Sequence, residues 1–249
     1  MNFDISDICK FYQTRLGQTA YRYIDHKITQ FWSDGAGDVI VGYGYATPYI
    51  DRYLQTASRV IGLMPCSQGA IPWPKNKANL VALTPADYLP LLDNSVDRIL
   101  MVHALEHSDN PSQLFREAWR VLVDGGRLLI IVPNRRGFWA RNPLTPFGHG
   151  KPYSGRQLFG LMEKSLFTPY KPKYALFAPP LNSKVLLQFS DSFEHLGSAW
   201  IKKWGGVTLM ETSKQIASLS LESPRTWRPS IFVPTPIPTT DQLCDHKKK

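Results

Sequence analysis

The chain has 249 residues, of which 43% are hydrophobic and 20% are charged. This composition is typical of a globular protein, and it excludes a wholly disordered chain or a coiled coil. The 29 lysines and arginines outnumber the 20 aspartates and glutamates, which gives a net charge of +9. That charge attracts anionic partners, but most of the basic residues are scattered, so nucleic-acid binding is allowed and not favoured.

No apolar run in the sequence reaches the roughly 18 residues that a membrane-spanning helix needs. The first residues also show no basic segment followed by an apolar one, so we predict a cytoplasmic protein without a membrane span. The three cysteines, Cys9, Cys66 and Cys244, are odd in number and far apart. They fit neither a disulfide framework nor a zinc-binding pair, so we predict reduced thiols and no metal.

Residues 1–32 carry apolar side chains at spacings of three and four, the pattern of one buried helical face. This pattern predicts two amphipathic helices with a break near Gly17. Aromatic residues on such a face, Tyr12 among them, are most often part of the core. Residues 33–38 are rich in Asp and Gly and are predicted to form a loop.

Short apolar runs alternate with helical patterns from residue 39 onward. The predicted strands cover residues 39–41, 59–63, 80–83, 96–102 and 127–132. Each strand is a continuous apolar run, as expected where helices cover both faces of a sheet. One helix is predicted between the first two strands, with Thr47 as its cap and Pro48 in its first turn, and another starts at residues 110–113. The alternation predicts a parallel, doubly wound α/β sheet.

The second half of the chain continues this pattern and then changes composition. Helices are predicted at residues 154–165 and 182–193, and strands at residues 174–177 and 207–211. Residues 222–249 are rich in Pro, Thr and charged residues, which predicts a loosely ordered tail. The predicted organisation is therefore a helical segment at 1–32, an α/β domain at 33–221 and a Pro-rich basic tail at 222–249.

The first predicted strand leads into Gly42-Tyr43-Gly44, and a helix is predicted to start three residues later. Glycines at such a turn let the chain bend tightly and let a ligand approach the backbone beside the positive end of the helix. The same glycines can serve packing alone, so the turn by itself does not distinguish a ligand site from a structural bend.

A second series of motifs lies between residues 89 and 134. In chain order it reads Leu89-Pro90, Ser95-Val96-Asp97, Leu105-Glu106-His107, Glu117-Ala118-Trp119-Arg120-Val121-Leu122 and Gly125-Gly126-Arg127-Leu128. Together with the glycine turn, this order resembles the class I S-adenosylmethionine-dependent methyltransferases of the type 11 group. The resemblance implies an α/β protein with a Rossmann-like class I methyltransferase fold. That fold has a mostly parallel seven-stranded sheet, a reversed last strand and helices on both faces.

The resemblance also implies S-adenosylmethionine as the cofactor, bound at the carboxyl ends of the first strands under an N-terminal helical lid, residues 1–32. The glycine turn would face the methionine and ribose, the end of the second strand would lie beside the ribose and adenine, and His103 would lie near the reactive end. Asp87 and Tyr88 would flank the adenine. The implied contact residues are Tyr12, Gly42, Tyr43, Gly44, Met64, Pro65, Asp87, Tyr88 and His103.

Three positions depart from the family's pattern. Ile40 and Met64 stand where the family usually has acids, and Ala46 stands where it has a third glycine. Losing a carboxylate that accepts from ribose hydroxyls costs about 1.5–3 kcal/mol, or about one to two powers of ten in affinity. These departures motivate the alternative function, a non-catalytic methyltransferase-fold protein that acts as a partner-binding or regulatory module.

A long aromatic and basic loop follows the fifth predicted strand, where loops of this architecture overhang the active cleft. Its arginines, Arg135, Arg136 and Arg141, can bind a carboxylate or phosphate or stay solvated. His149, in a Gly-His-Gly sequence, is the candidate catalytic residue, as an acid, a base or a group that orients the substrate. The alternative is a structural histidine that caps the following turn.

Two other enzyme classes share single motifs with this chain. Residues 103–107 match the His-x-x-Glu-His pattern of inverted zinc peptidases, but they follow a strand that leaves no helix to place both histidines on one face. A nicotinamide dehydrogenase needs a third glycine and a following acid that this turn lacks. We therefore predict an S-adenosylmethionine-dependent methyltransferase that uses no metal. The sequence does not identify its acceptor, a small molecule or a protein; the loop arginines allow an acidic acceptor, and the sequence also allows a protein partner.

Overall fold

The computed structural model describes residues 4–85, 88–181, 194 and 202–215. They fall within the first unit of the chain, residues 1–216. The predicted helix at 182–193 and the predicted tail at 222–249 lie outside the described residues, as do Asp87 and Cys244. The two described cysteines, Cys9 and Cys66, are free thiols.

The two predicted N-terminal helices are present, and the break between them lies at Thr14, slightly before the predicted position near Gly17. Helix α1 covers Ile5–Gln13 and helix α2 covers Arg15–Thr29. The Thr14 hydroxyl caps α2 by accepting a hydrogen bond from the Gly17 backbone N–H at 3.0 Å. Both helices belong to the buried core that also contains Ile40. Their role as a lid, and the boundaries at residues 32 and 221, stay predictions.

Within the described residues, eight strands form one mixed sheet. They are β1 (Val39–Gly44), β2 (Arg59–Pro65), β3 (Val81–Thr84), β4 (Val96–Val102), β5 (Leu122–Pro133), β6 (Phe167–Pro169), β7 (Lys173–Ala175) and β8 (Val207–Lys214). Their order along the sheet is β3-β2-β1-β4-β5-β8-β6, and β7 also pairs with β8. The first five strands in this order are parallel, and β8 is antiparallel to β5.

Strands β6 and β7 together fill one strand position. One edge of β8 pairs with β5, and its other edge pairs with β6 at residues 212–214 and with β7 at residues 207–209. The sheet therefore has seven strand positions, mostly parallel with a reversed β8, which confirms the predicted fold. Strand β6 was not predicted from the sequence, whereas the equally short β7 overlaps the strand predicted at residues 174–177.

The helix that follows β1 is shorter than predicted. Helix α3 covers Thr47–Ile50, with Pro48 in its first turn, and a 3-10 helix continues over Asp51–Gln55. Thr47 was predicted as the cap, but it lies inside α3. The cap position is Ala46, whose side chain has no atom that can accept a hydrogen bond.

The two later helices begin with side-chain caps, and β5 is longer than predicted. Helix α4 covers Pro111–Val121 after the Asn110 cap, and helix α5 covers Gly155–Lys164 after a capping box of Ser154 and Gln157. Residues 124–126 lie within β5, where the ladder to β4 shifts register and Gly125 has a φ of +74°. None of the described helices is long and apolar enough to cross a bilayer.

Two buried clusters form the core, one on each face of the sheet. One contains side chains of α1, α2 and α3, and the other contains side chains of α4 and α5. Burial of both faces explains why the central strands consist of continuous apolar residues. The prediction of helices on both faces is confirmed.

An ion pair on α4 fixes the segment that precedes β4. The Glu117 carboxylate accepts from the Leu89 backbone N–H at 2.9 Å and pairs with Arg120 at 2.7 Å. Arg120 also donates to the carbonyl groups of Leu89 and Leu91 and pairs with Asp93. Because the Arg120 guanidinium donates to it, the pKa of Glu117 is lowered from its ordinary value.

We predict that Glu117→Gln lowers the free energy of unfolding by about 1–3 kcal/mol near pH 7, because a charged acceptor of a buried N–H is lost. A carboxyl with a lowered folded-state pKa stabilises the protein above its ordinary pKa of about 4.3. This contribution is lost as the pH falls through the folded-state pKa. Urea unfolding should therefore show a gap between wild type and variant that narrows from neutral to acidic pH.

The matched control is Glu163→Gln on α5, which removes an exposed carboxylate and should change the unfolding free energy little. The pairing of Glu117 with Arg120 would be contradicted if the difference in unfolding free energy between wild type and Glu117→Gln stayed constant or increased on acidification.

Candidate functional site

The carboxyl ends of β1, β2 and β4 meet at one edge of the sheet, and the Gly42-Tyr43-Gly44 turn lies there. Gly44 has a φ of +75°, and a Cβ on it would lie 2.4 Å from the Val102 carbonyl oxygen. The same carbonyl accepts from the Tyr45 backbone N–H at 2.8 Å. Glycine is required at position 44 because the end of β1 lies directly against the end of β4.

His103 follows β4 and joins a buried chain of hydrogen bonds. Its backbone has a φ of +50°, and its Nε2 lies 2.9 Å from the Tyr12 hydroxyl of α1. Its Nδ1 lies 3.2 Å from Glu106 Oε1, and the Tyr49 hydroxyl donates to Tyr12 at 3.2 Å. All four side chains are buried, so this chain ties the N-terminal helix to the end of the sheet.

One direction of proton donation accounts for all three hydrogen bonds of this chain. Because Tyr49 donates to Tyr12, Tyr12 can donate to Nε2 of His103, and the Nδ1–H of His103 can donate to Glu106. Burial raises the pKa of the Tyr12 and Tyr49 hydroxyls well above 10. Both tyrosines therefore stay protonated at neutral pH, where they can orient His103 but cannot act as bases.

A small cavity of about 10 Å³ lies at this edge and offers no more space than one water molecule needs. Three side chains on its wall, Gln68, His107 and Ser108, each carry a buried polar atom without a hydrogen-bond partner in the described chain. Buried polar atoms are nearly always paired in folded proteins. This cluster therefore indicates a place where a polar ligand or water completes the bonding. The lining residues are Tyr43, Pro65, Ser67, Gln68, Ala104, His107 and Ser108.

Sequence analysis missed Gln68 and Ser108 because neither belongs to a recognisable motif. Gln68 is 2% exposed, and its Nε2 donates to the His103 carbonyl oxygen at 2.7 Å. The signal that could have pointed to Gln68 is its place in the turn directly after β2, one residue before Gly69 with its φ of +82°. No comparable signal marks Ser108.

A larger pocket of about 730 Å³ is lined by residues from α1, α2, α3 and the segment 71–77. Its walls include the aromatic side chains of Tyr12, Tyr21, Tyr45 and Trp73, together with Met64. This volume lies in the range of ligand-binding clefts. The structure thus places Tyr12 and Met64 on the larger pocket, whereas Tyr43 and Pro65 line the small cavity.

The two positions where the family has acids are buried and apolar. Ile40 lies in the core, and Met64 is 1% exposed, with its sulfur accepting from the Ile71 backbone N–H at 3.4 Å. Tyr88 lines neither cavity, and its exposed ring faces the Arg120 guanidinium at 5.7 Å. The cofactor-contact roles of the sequence-predicted residues, including Asp87 outside the described chain, stay predictions.

His149 lies on the loop that follows β5, and its Nε2 donates to the Pro143 carbonyl oxygen at 2.8 Å. The next two residues hold this loop against Glu106. The Lys151 backbone N–H donates to the Glu106 carbonyl oxygen at 2.7 Å, and a Cβ on Gly150 would lie 2.5 Å from the same oxygen. The loop therefore packs on the Glu106 backbone, and the catalytic role of His149 stays a prediction.

The His103, Glu106 and His107 motif does not have the geometry of a zinc peptidase. Residues Leu105–His107 form a single 3-10 turn, and Nδ1 of His103 is bonded to Glu106. Within the ranges that the structure describes, no group of three or more His, Cys, Asp and Glu side chains could hold a metal ion.

Comparison with known proteins identifies the central part of the chain. Residues 38–130 match the family model of a methyltransferase domain. A 78-residue segment is 40% identical to the uncharacterized Escherichia coli protein YafS and covers 31% of this chain and 32% of that protein. An 81-residue segment is 37% identical to a Mycolicibacterium smegmatis protein that carries the name probable S-adenosylmethionine-dependent methyltransferase, covering 32% of this chain and 31% of that protein. The matches span about a third of each relative.

Solved structures share the architecture of this chain. A SAM-dependent methyltransferase from Thermotoga maritima aligns with a TM-score of 0.62 and 19% identity, covering 85% of this chain and 96% of that one. A chain from a complex with the Haloferax volcanii Trm112 methyltransferase activator aligns with a TM-score of 0.61 and 14% identity, covering 87% and 100%. At these identities the likeness establishes the fold, which is the Rossmann-like fold of the class I methyltransferases.

We predict that His107 makes the protein less stable as the pH falls below about 6.5, the ordinary pKa of histidine. Burial lowers the pKa of His107, and the nearby His103 and His149 lower it further against the opposing effect of Glu106. The unfolded chain then binds a proton that the folded chain does not, so the unfolding free energy decreases towards acidic pH. His107→Gln should reduce this decrease between about pH 7.5 and 5.5 in urea unfolding.

The control is His26→Gln on α2, which removes an exposed histidine and should leave the pH profile unchanged. Equal pH profiles for wild type and His107→Gln would show that His107 is not held neutral by burial.

Proposed function

We propose that the protein is an S-adenosylmethionine-dependent methyltransferase, since residues 38–130 match the family model of a methyltransferase domain. The observation that carries the proposal is the set of unpartnered polar atoms of Gln68, His107 and Ser108 around the cavity beside Tyr43. An adenosyl cofactor offers ribose hydroxyls, ring nitrogens and an amino-acid group that match such donors and acceptors. The donor set therefore fits this cofactor in kind.

The glycine turn and the cavity wall would hold the cofactor. Gly44 forms the turn at the sheet edge, while the Gln68 amide and the Ser108 hydroxyl can each donate or accept a hydrogen bond. The bound cofactor supplies a methyl group on a sulfonium, which a nucleophile takes by in-line displacement. The protein contributes orientation and exclusion of water, so no nucleophilic side chain of its own is required.

Cofactor binding requires Gln68 to leave its present position. The cavity measures about 10 Å³, whereas clefts for ligands of this size measure roughly 300–1,000 Å³. Gln68 is held there by its hydrogen bond to the His103 carbonyl. Breaking one such bond costs about 0.5–1.5 kcal/mol, which the polar contacts of a bound ligand can offset.

The Tyr12, His103 and Glu106 side chains would act by positioning. Tyr12 stays protonated and fixes the His103 ring below α1, at the edge where the reaction is proposed. His149 is proposed to orient the acceptor or exchange a proton with it, because its loop packs on the Glu106 backbone. The arginines of the same loop favour an acidic acceptor. A protein partner is proposed as well, because one chain of similar fold is in complex with an activator.

We predict that S-adenosylhomocysteine binds the wild-type protein weakly, with a Kd on the order of 100 µM, because the acids at positions 40 and 64 are missing. Met64→Asp should strengthen binding by about tenfold, since its carboxylate can accept from the ribose hydroxyls. Met64→Ala is the matched control, because it removes the bulk of the side chain and adds no carboxylate. Isothermal titration calorimetry measures all three affinities.

Thermal unfolding without ligand establishes that each variant is folded. Both ligands, S-adenosylmethionine and S-adenosylhomocysteine, are titrated up to about 1 mM. The proposal is contradicted if neither ligand gives binding heat with folded wild type or with folded Met64→Asp. The non-catalytic alternative would then remain. Equal affinities of Met64→Asp and Met64→Ala would place the ribose away from residue 64.

A further inference from the structure

A second pocket, of about 750 Å³, lies beyond β5 and is lined by four arginines, which we call the arginine pocket. Its walls come from the loop after β5, the start of α5 and the turn before β8. Because β5 is parallel to β1 and β4, the residues that follow it emerge at the same edge of the sheet as the glycine turn. The lining residues are Arg135, Arg136, Arg141, Ser154, Arg156, Gln157 and Trp204.

The arginine pocket contains positive charge without a compensating acid. None of its lining residues is an aspartate or glutamate, and none of the four guanidinium groups forms an ion pair or a hydrogen bond within the described chain. By contrast, Arg52, Arg98 and Arg120 each pair with a carboxylate elsewhere in the fold. Four guanidinium groups around one pocket repel each other, and a bound anion relieves that repulsion.

The walls of the arginine pocket are held together by backbone contacts. Asn134 is buried, and its Nδ2 donates to the carbonyl oxygens of Lys203 and Gly205 at 3.0 and 2.7 Å. A Cβ on Gly137 would lie 2.6 Å from the same Gly205 oxygen, so the two segments are in close contact. The Arg135 N–H donates to the carbonyl of residue 153 at 3.1 Å, which ties the loop to the start of α5.

An exposed aromatic surface adjoins the guanidinium groups. Trp204 is 50% exposed, and its ring centroid lies 6.4 Å from that of Phe138, which is 53% exposed. Large aromatic side chains are usually more buried than this in a folded domain. Arginine beside an exposed indole is the combination that binds phosphate groups and stacks a nucleobase.

We propose that the arginine pocket binds a nucleotide, with its phosphates on the arginines and its base on Trp204. Phosphate accepts two parallel hydrogen bonds from a guanidinium, which makes these contacts both strong and directional. A volume of about 750 Å³ suits one or two nucleotide units. A free nucleotide and a residue of a single strand share this chemistry, and binding of either can be measured without methyl transfer.

The test measures binding of inorganic pyrophosphate, ATP and a 12-residue oligothymidylate to the full chain at about 150 mM salt. In the double variant Arg135→Gln/Arg136→Gln, each phosphate probe should bind at least about tenfold more weakly. The matched control, Arg59→Gln/Arg116→Gln, removes the same charge from exposed positions outside the pocket and should change affinity by less than about threefold. Thermal unfolding establishes that both variants are folded.

Trp204→Ala should weaken the binding of ATP and of oligothymidylate by about tenfold and leave the binding of pyrophosphate unchanged. Only ATP and oligothymidylate carry a base that can stack on the indole. Tighter binding of ATP than of oligothymidylate indicates that the natural ligand is a free nucleotide, and the reverse order indicates a single strand. The proposal is overturned if no probe binds below about 1 mM, or if the control loses as much affinity as the pocket variant. It is also overturned if wild type binds pyrophosphate and ATP with equal affinity and Trp204→Ala changes neither affinity.

Discussion

The contact between the ends of β1 and β4 at Gly44 is the constraint on which the site depends. The Val102 carbonyl oxygen lies where a side chain of residue 44 would begin, and it accepts from the Tyr45 N–H. This contact fixes the position of His103, the next residue after Val102, and of Tyr45 in the wall of the larger pocket. A side chain at position 44 would force the two strand ends apart and displace both residues together.

The buried hydrogen-bond chain makes α1 an integral part of this edge. Tyr12 stacks on Tyr45 with ring centroids 5.0 Å apart and bonds to His103, so burial of the helix and orientation of the histidine depend on each other. Glu106 Oε2 has no hydrogen-bond partner within the described chain. The network is thus satisfied on the side of the helix and incomplete at Glu106, where the loop that carries His149 packs on the backbone.

The positions of the first five strands and the glycine turn could be predicted because they depend on patterns local in the sequence. Continuous apolar runs indicated β1 to β5, and the Asn110 cap indicated the start of α4. The break at Thr14 and the early end of α3 depend on individual caps and on contacts with distant residues. The hydrophobic periodicity of the sequence carries no information about either. Gln68 and Ser108 could not be predicted for the same reason, since their lack of partners is a property of the folded cavity.

Two features of the chain differ in charge from the family's pattern in the same direction. Ile40 near the start of β1 and Met64 near the end of β2 stand where the family has carboxylates, while the arginine pocket beyond β5 has positive charge and no acids among its lining residues. The first feature weakens attraction for a cationic sulfonium, and the second strengthens attraction for an anion. Both features therefore favour anionic ligands over cationic ones, although they lie at different places in the sheet.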